Sequence, residues 1–166
     1  MNHDEAAFVE RVGQMLTGGG LPRMAGRIWG WLLICEPPQQ TAASIADALH
    51  ASRGSVSGTV RLLENAGLIR RSTRPRDRRE YFSIPEGAVV AVLESRLPST
   101  IAWRQLADDG LAVLDGRPPE ARQRLEELRD VYAFMERELP ALLERFKAER
   151  QVNVSSVASK RKERIA

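Results

Sequence analysis

The sequence holds few of the residues on which enzymes and secreted proteins depend. Cys35 is the single cysteine among 166 residues, so no disulfide can form within the chain, as is typical of a reducing cytoplasm. The two histidines, His3 and His50, have no cysteine or acidic companions at ligand spacing, so we expect no metal site and no cofactor. No catalytic triad, phosphate-binding glycine loop or nucleophile elbow is present, which argues against an enzyme.

Long hydrophobic runs are also missing. The longest, IWGWLLIC, is far too short to span a bilayer. The opening residues MNHDEAAF lack the basic and apolar regions of a signal peptide. We therefore expect a cytoplasmic protein without membrane contact, and its 43% hydrophobic content is enough for a globular core.

Positive charge is concentrated in two short segments. The formal net charge is only +3, yet residues 70–80 carry six arginines against Asp77 and Glu80, a net +4. Residues 160–166 contribute a further +3, which leaves the rest of the chain mildly acidic. A basic footprint confined to one element predicts a polyanionic partner.

The hydrophobic pattern predicts a mainly α-helical chain with one small β-hairpin. The glycines at 18–20 should end a first helix, Pro22 suits the first turn of a second, and Pro37 and Pro38 should end it. We divide the chain into N-terminal helices for dimerisation or hinge movement (1–36), a DNA-binding unit (37–87), a helical dimerisation region (88–150) and a basic polar tail (151–166).

Residues 41–67 have the pattern of a helix-turn-helix. The first helix carries apolar residues on its inner face, and Ser52 is placed to cap the second. The second helix would bury Val56, Val60 and Leu63. Its opposite face then carries small or polar residues able to enter a major groove: Gly54, Ser55, Ser57, Gly58 and Arg61. Plain solvent exposure of Ser55 and Ser57 is the alternative.

A basic hairpin follows this helix directly. Its strands are LIRRST and EYFSI, joined by the tip RPRDRR. Arginines at a narrow tip can enter a minor groove or clamp phosphates, and Asp77 would brace one of them. Of Tyr81 and Phe82, one should pack on the core and the other cover the hairpin. Arg70 and Arg71 should point to opposite faces, so at most one of them faces a duplex. A solvated surface loop is the alternative.

Residues 120–148 predict a long helix with an apolar seam at heptad spacing. The seam would either face a partner subunit, which we favour, or pack within its own chain. Pro140 should kink this helix or split it near residues 136–140. The seam residues are Leu125, Leu128, Tyr132, Met135, Leu139, Leu142 and Phe146.

Residues 41–87 resemble the winged helix-turn-helix of MarR-type transcription regulators. The resemblance rests on SIADAL, SRGSVSGTVRLLENAGLI, the wing RPRDRR, and YFSI with PEG, while GLPRMAGRIWGWLL resembles the GbsR subgroup. It implies a homodimer that regulates genes, as a repressor in our interpretation, from a pseudo-palindromic site on double-stranded DNA. Many relatives carry a larger residue where Gly58 stands, and the returning strand of the wing looks shorter than usual.

By this resemblance, the DNA contacts divide between the second helix and the wing. The helix would contribute Ser52, Ser55, Ser57, Gly58 and Arg61. The wing would contribute Arg76, Arg78 and Arg79, with Asp77 as the brace. A winged helix kept only as a protein-interaction module is the rival hypothesis, and the wing arginines argue against it.

Two further features have competing interpretations. Trp29 and Trp31 could line a pocket for a small-molecule effector, but packing in the dimer core is the favoured alternative. Cys35 lacks a neighbouring base and suits a buried, inert thiol better than a redox switch. The tail could touch DNA or, by default for a polar terminus, be disordered.

Overall fold

The computed structural model describes the backbone of residues 1–163 and the side chains of residues 1–151. Two compact units are present, the first covering Met1–Val92 and the second beginning at Leu93. The chain is mainly helical with a small antiparallel sheet of three strands, which confirms the predicted fold class. No described helix has both the length and the apolar composition to cross a membrane.

The first unit contains two N-terminal helices, a helix-turn-helix and the sheet. Its elements are α1 (His3–Gly18), α2 (Arg23–Ile34), β1 (Gln40–Thr41), α3 (Ala42–Leu49), α4 (Arg53–Asn65), β2 (Arg70–Arg74) and β3 (Asp77–Ser83), and α5 (Ala88–Glu94) follows. The predicted glycine stop after the first helix and the helical pair at 41–67 are confirmed. Pro22 stands at the N-cap of α2, one residue before the position predicted for it.

Side-chain caps start three of these helices. Asn2 and Glu5 form a reciprocal capping box at α1. The Thr41 hydroxyl accepts from the Ser44 backbone N–H at 3.1 Å, and the Ser52 hydroxyl accepts from the Ser55 N–H at 3.2 Å. The predicted cap of α4 is therefore confirmed.

Helices α1 and α2 cross at a contact between glycines. A Cβ atom added to Gly26 would lie 2.6 Å from the Gly13 Cα and 2.7 Å from the Val12 carbonyl oxygen. Glu10 pairs across the same crossing with Arg23 and with Arg27. The two backbones are therefore as close as glycine alone allows.

One hydrophobic core joins α1 and α2 to the helix-turn-helix and the sheet. Its members are fully or nearly fully buried apolar residues, so the outward faces of α4 and of the hairpin are left for another role. The core consists of Val9, Ala25, Ile28, Leu32, Cys35, Ile45, Ala46, Leu49, Val56, Val60, Leu63, Ile69 and Phe82.

The sheet has the order β1-β3-β2, and its hairpin is tighter than predicted. Only Pro75 and Arg76 form the turn, and β3 begins at Asp77. Strand β3 has seven residues against five in β2, so it begins before the predicted segment EYFSI. Its length relative to the wings of other family members stays a prediction. The register shifts between Thr73 and Arg74, so two residues of β3, Arg78 and Arg79, form a bulge. Strand β1 has only two residues, too few to show a period in the sequence.

The second unit contains α6 (Leu97–Val113) and α7 (Pro119–Glu163). Pro140 was expected to kink α7 or to split it, and the helix is continuous through that residue, so it does not split. Proline removes one backbone donor, but intact turns on both sides continue the helix. Helix α7 also continues past the predicted boundary at residue 150. Beyond Gln151 the side chains of the tail lie outside the described residues, so its contact with DNA stays a prediction.

Candidate nucleic-acid interface

Helix α4 buries one side and leaves the other open, as its sequence predicts. Val56, Val60 and Leu63 are buried. The outward residues Ser52, Ser55, Ser57, Gly58 and Arg61 are all exposed. A Cβ atom added to Gly54 or Gly58 would meet nothing within 4 Å, so this face is flat and unobstructed. A flat polar helix face of this kind fits a major groove.

Arg53 is an exposed residue of this face that was not predicted from the sequence. It is the first residue of α4, directly after the cap Ser52. Its guanidinium group therefore stands at the helix N-terminus, where backbone N–H groups and the helix dipole already favour an anion. The cap itself was the available signal, because it places the next residue in the first helical turn.

The six arginines of the wing are not equivalent, since three of them are held by other side chains. Arg71 donates from Nη2 to Glu64 Oε2 at 2.6 Å and from Nη1 to Glu80 Oε1 at 2.8 Å. The hydrogen bond with Glu64, followed by that with Glu80, raises the pKa of Arg71. Arg71 thus joins β2 to α4 and to β3.

Arg74, which the sequence left undecided, is turned toward the protein. Its Nη2 donates to Gln39 Oε1 at 3.0 Å, and its guanidinium carbon lies 4.1 Å from the centroid of the Tyr81 ring. A cation over an aromatic face is attracted by the ring's electron density. This contact fastens the end of β2 to the segment that precedes β1.

Asp77 makes the contacts that a brace requires. Its carboxylate accepts from the Arg79 backbone N–H at 2.9 Å and from the Arg79 side chain at 2.8–3.1 Å. The Tyr81 hydroxyl donates to the same carboxylate at 2.7 Å. Tyr81 therefore covers the hairpin while Phe82 lies in the core, as predicted.

The ionised state of Asp77 persists throughout the physiological pH range. The side-chain and backbone hydrogen bonds from Arg79, and then the one from Tyr81, hold the pKa of Asp77 well below its usual range. Because folding lowers this pKa, the brace adds stability above the unfolded value of about 4 and loses it only as the pH falls further. Arg79 keeps 70% of its side chain exposed despite this pairing.

The remaining wing arginines face outward. Among the described residues, no partner forms a hydrogen bond or ion pair with the side chains of Arg70, Arg76 and Arg78. Arg76 occupies the turn with a positive φ of 65°, and Arg78 lies in the bulge. Arg70 and Arg71 differ as strand alternation predicts, because Arg70 is exposed and Arg71 is held by two carboxylates. Arg53 and Arg61 on α4 are exposed as well, and we call these five exposed arginines of α4 and the wing the cationic surface.

Trp29 and Trp31 are partly buried and pack against the hydrophobic core. They thus pack within their own chain, and their expected place in a dimer core stays a prediction. Both indole N–H groups are buried without an acceptor among the described residues. Burial raises the pKa of the Cys35 thiol, which keeps it neutral and unreactive. The described residues contain no group of three His, Cys, Asp or Glu side chains that could hold a metal ion.

The predicted apolar seam of α7 is divided between two environments. Leu125 packs on Gly110 of α6, where an added Cβ would lie 2.8 Å from its Cδ1, and Tyr132 stacks on Trp103 with ring centroids 5.8 Å apart. Leu128, Met135 and Leu139 are partly buried. Leu142 and Phe146 are exposed. Part of the seam therefore packs within the chain, which was the alternative that we did not favour.

A second set of exposed apolar side chains on α7 was absent from the prediction. Val131 is 50% exposed and Phe134 is 57% exposed. At 100° per residue, these two positions share one helix face with Leu142 and Phe146. We call this set the α7 apolar face.

Comparisons with known proteins place this geometry among transcription regulators. Residues 87–149 match the profile of the MmpR5-like MarR family transcriptional regulators, and residues 31–81 match the MarR family profile. The HTH-type transcriptional regulator MmpR5 of Mycobacterium tuberculosis is 38% identical over 143 residues, covering 86% of this chain and 87% of that protein. The crystal structure of a transcriptional regulator superposes with a TM-score of 0.74 at 38% identity, over 87% of this chain and 99% of the other.

Proposed function

The chain belongs to the MarR family of winged-helix transcription regulators, in its MmpR5-like group, and we propose that it binds a pseudo-palindromic operator as a homodimer. It is a DNA-binding regulator, and repression is the mode of action that we propose. The two copies of α4 would lie about 34 Å apart, one turn of DNA, or a small multiple of that distance. Each α4 would enter a major groove, and each wing would reach the neighbouring minor groove.

The observation that carries this proposal is the cationic surface of α4 and the wing. Arg76 and Arg78 project from the wing without an internal partner, next to a helix face on which Gly54 and Gly58 leave open space. We assign phosphate and minor-groove contacts to these arginines, to Arg79 and to Arg53, which adds to the set inferred from sequence.

The helix residues have a different task in this proposal. Ser55, Ser57 and Gly58 would meet base edges, and Arg61 would meet the flanking backbone. Ser52 holds the N-terminus of α4 and would add a contact from its hydroxyl hydrogen.

The homodimer is supported by the α7 apolar face. Its four side chains are each about half exposed in the single chain, although large apolar side chains are normally buried. A second copy would cover them. We place Val131, Phe134, Leu142 and Phe146 at this interface, with Leu128, Met135 and Leu139 at its margin.

We extend the proposal to the properties that follow from such a regulator. It works in the cytoplasm without catalytic activity, and a small-molecule effector bound near Trp29 and Trp31 would release it from DNA. The two unpaired indole N–H groups support a polar ligand there. The likeness of GLPRMAGRIWGWLL to the GbsR subgroup stays a prediction. The protein-interaction module remains the second candidate, favoured only by the apolar surface of the second unit.

The test is a titration of fluorescein-labelled duplex from the DNA just upstream of the gene, in parallel with a scrambled duplex. We expect tighter binding to the upstream DNA than to the scrambled duplex. The logarithm of the binding constant should fall linearly with the logarithm of the salt concentration. Arg78→Ala should weaken binding to both duplexes and reduce the salt slope by about 1.8, because a homodimer loses two phosphate contacts of about 0.9 each.

The controls separate this proposal from non-specific charge effects. Arg117→Ala removes the same charge from an exposed loop outside the interface and should leave binding unchanged. Ser57→Ala should change the preference between duplexes more than the salt slope. If the wild-type protein binds neither duplex at low salt, the operator proposal is wrong and the interaction module becomes the better explanation.

A further inference from the structure

We propose that Arg71 is a positioning residue, which sets the angle between the wing and helix α4 through a bridge to Glu64 and Glu80. This inference rests on the proposed function, since it concerns how the two DNA-contacting elements are held relative to each other. It assigns Arg71 a role different from that of the other arginines in the same cluster.

The bridge spans three elements. Glu64 belongs to the last turn of α4, Arg71 to β2 and Glu80 to β3. Two donors of Arg71, Nε at 3.2 Å and Nη2 at 2.6 Å, reach the same Glu64 oxygen, while Nη1 reaches Glu80 at 2.8 Å. Only the forked guanidinium group can hold two carboxylates in fixed directions at once.

The surroundings limit the motion of this bridge. The guanidinium carbon of Arg71 lies 5.8 Å from the centroid of the buried Phe82 ring, which pairs with Arg71 across the sheet. About a third of the Arg71 and Glu64 side chains is exposed. Ile69 and Phe82 already anchor the base of the wing in the same core as α4, and the segment 66–69 connects the two elements. The bridge adds a polar contact at the surface, on the side where the wing leaves this core.

The charge balance argues against a direct contact between Arg71 and phosphate. Two carboxylates surround one guanidinium group, so the cluster is net negative if all three groups are ionised. Phosphate would be repelled from it, whereas Arg76 and Arg78 have no such compensation. Arg71 therefore suits a positioning role, while Arg76 and Arg78, whose charges are not compensated, suit contacts with DNA.

Glu64→Gln distinguishes the two roles by the sign of its effect. If Arg71 were a DNA contact, removing the Glu64 charge would release it and raise affinity for every duplex. We expect instead that Glu64→Gln and Arg71→Gln each lower affinity for the upstream duplex about tenfold, with a smaller loss on scrambled DNA. Because one bridge is broken in each case, the double variant should be little worse than either single variant.

The salt slope and the conservative variant provide independent measurements. Arg71→Gln should leave the slope unchanged, whereas Arg78→Ala reduces it by about 1.8 in the homodimer. Arg71→Lys keeps the charge but loses the fork, so it should recover only part of the affinity. A reduced slope in Arg71→Gln, together with tighter binding by Glu64→Gln, would overturn the proposal and leave the operator proposal intact.

A distance measurement without DNA completes the test. Spin labels at Ser57→Cys and Arg78→Cys, in a Cys35→Ala background, report the separation of α4 and the wing by pulsed electron resonance. We expect a broader distance distribution in Arg71→Gln and in Glu64→Gln than in the parent, and no broadening in Arg117→Ala. Unchanged distributions would overturn the positioning role even if the wild-type protein binds DNA as proposed.

Discussion

Gly54 and Gly58 occupy positions of α4 where the fold does not require glycine. Neither has a positive φ, and an added Cβ would meet nothing within 4 Å at either position. A glycine in a helix interior costs about 1 kcal/mol relative to alanine. A residue that weakens the helix without a packing role indicates that another molecule approaches this surface closely.

Gly58→Ala should therefore have opposite effects on stability and on DNA binding. We expect the free energy of unfolding to rise by up to about 1 kcal/mol, and the melting temperature with it, because alanine favours the helix and its methyl group enters open space. Affinity for the upstream duplex should fall, because the same methyl group meets the DNA. Gly18→Ala, at another exposed helical glycine, is the control for propensity alone. Unchanged affinity in Gly58→Ala would mean that DNA does not approach this face.

At the scale of elements, the crossing of helices α1 and α2 requires glycine, whereas Gly54 and Gly58 of α4 have open space around them. Gly26 is buried at the crossing and faces the backbone of Gly13 and Val12. The core of the first unit includes Val9 from α1 and Ile28 and Leu32 from α2. The close crossing thus determines how the N-terminal helices rest on the helix-turn-helix.

Gly26→Ala should destabilise the first unit. A Cβ at 2.6 Å from a backbone atom forces the helices apart, and overpacking of this kind costs about 1–3 kcal/mol. We expect a fall of several degrees in the melting temperature measured by circular dichroism. Gly18→Ala again serves as the control, since it should be neutral or slightly stabilising. Equal melting temperatures for the two variants would contradict the tight crossing.

At the scale of the whole molecule, the exposed apolar side chains of the second unit are candidates for the contact between two copies of the chain. The α7 apolar face is one exposed surface of this unit. Another is the face of α6 that carries Trp103, Leu106 and Val113. The two surfaces make different predictions for the dimer, and matched substitutions can separate them.

Phe134→Glu should dissociate the homodimer, because it places a charge on the α7 apolar face. Leu106→Glu on α6 is the matched comparison, since both side chains are 57% exposed in the single chain. Light scattering after size-exclusion chromatography measures the mass of each variant. A dimeric Phe134→Glu with a monomeric Leu106→Glu would move the interface from α7 to α6.

Features that depend on residues close together in the sequence could be predicted from the sequence alone. Capping at Ser52, the buried spacing of Val56, Val60 and Leu63, and the glycine stop at residues 18–20 each involve residues within one or two turns of each other. Local chemistry of this kind is visible in a single chain, and it was sufficient to identify the helix-turn-helix and its wing. The concentration of arginine in residues 70–79 likewise indicated a polyanionic partner without knowledge of the fold.

Which partner each side chain meets depends instead on the tertiary structure. Arg71 and Arg78 look alike in the sequence, but Glu64 and Glu80 hold the first while the second projects from a bulge. Leu125 and Phe146 share one heptad pattern, yet the first packs on Gly110 and the second is exposed. Periodicity shows that a helix has an apolar side. What covers that side depends on residues far away in the chain, which only the folded arrangement brings together.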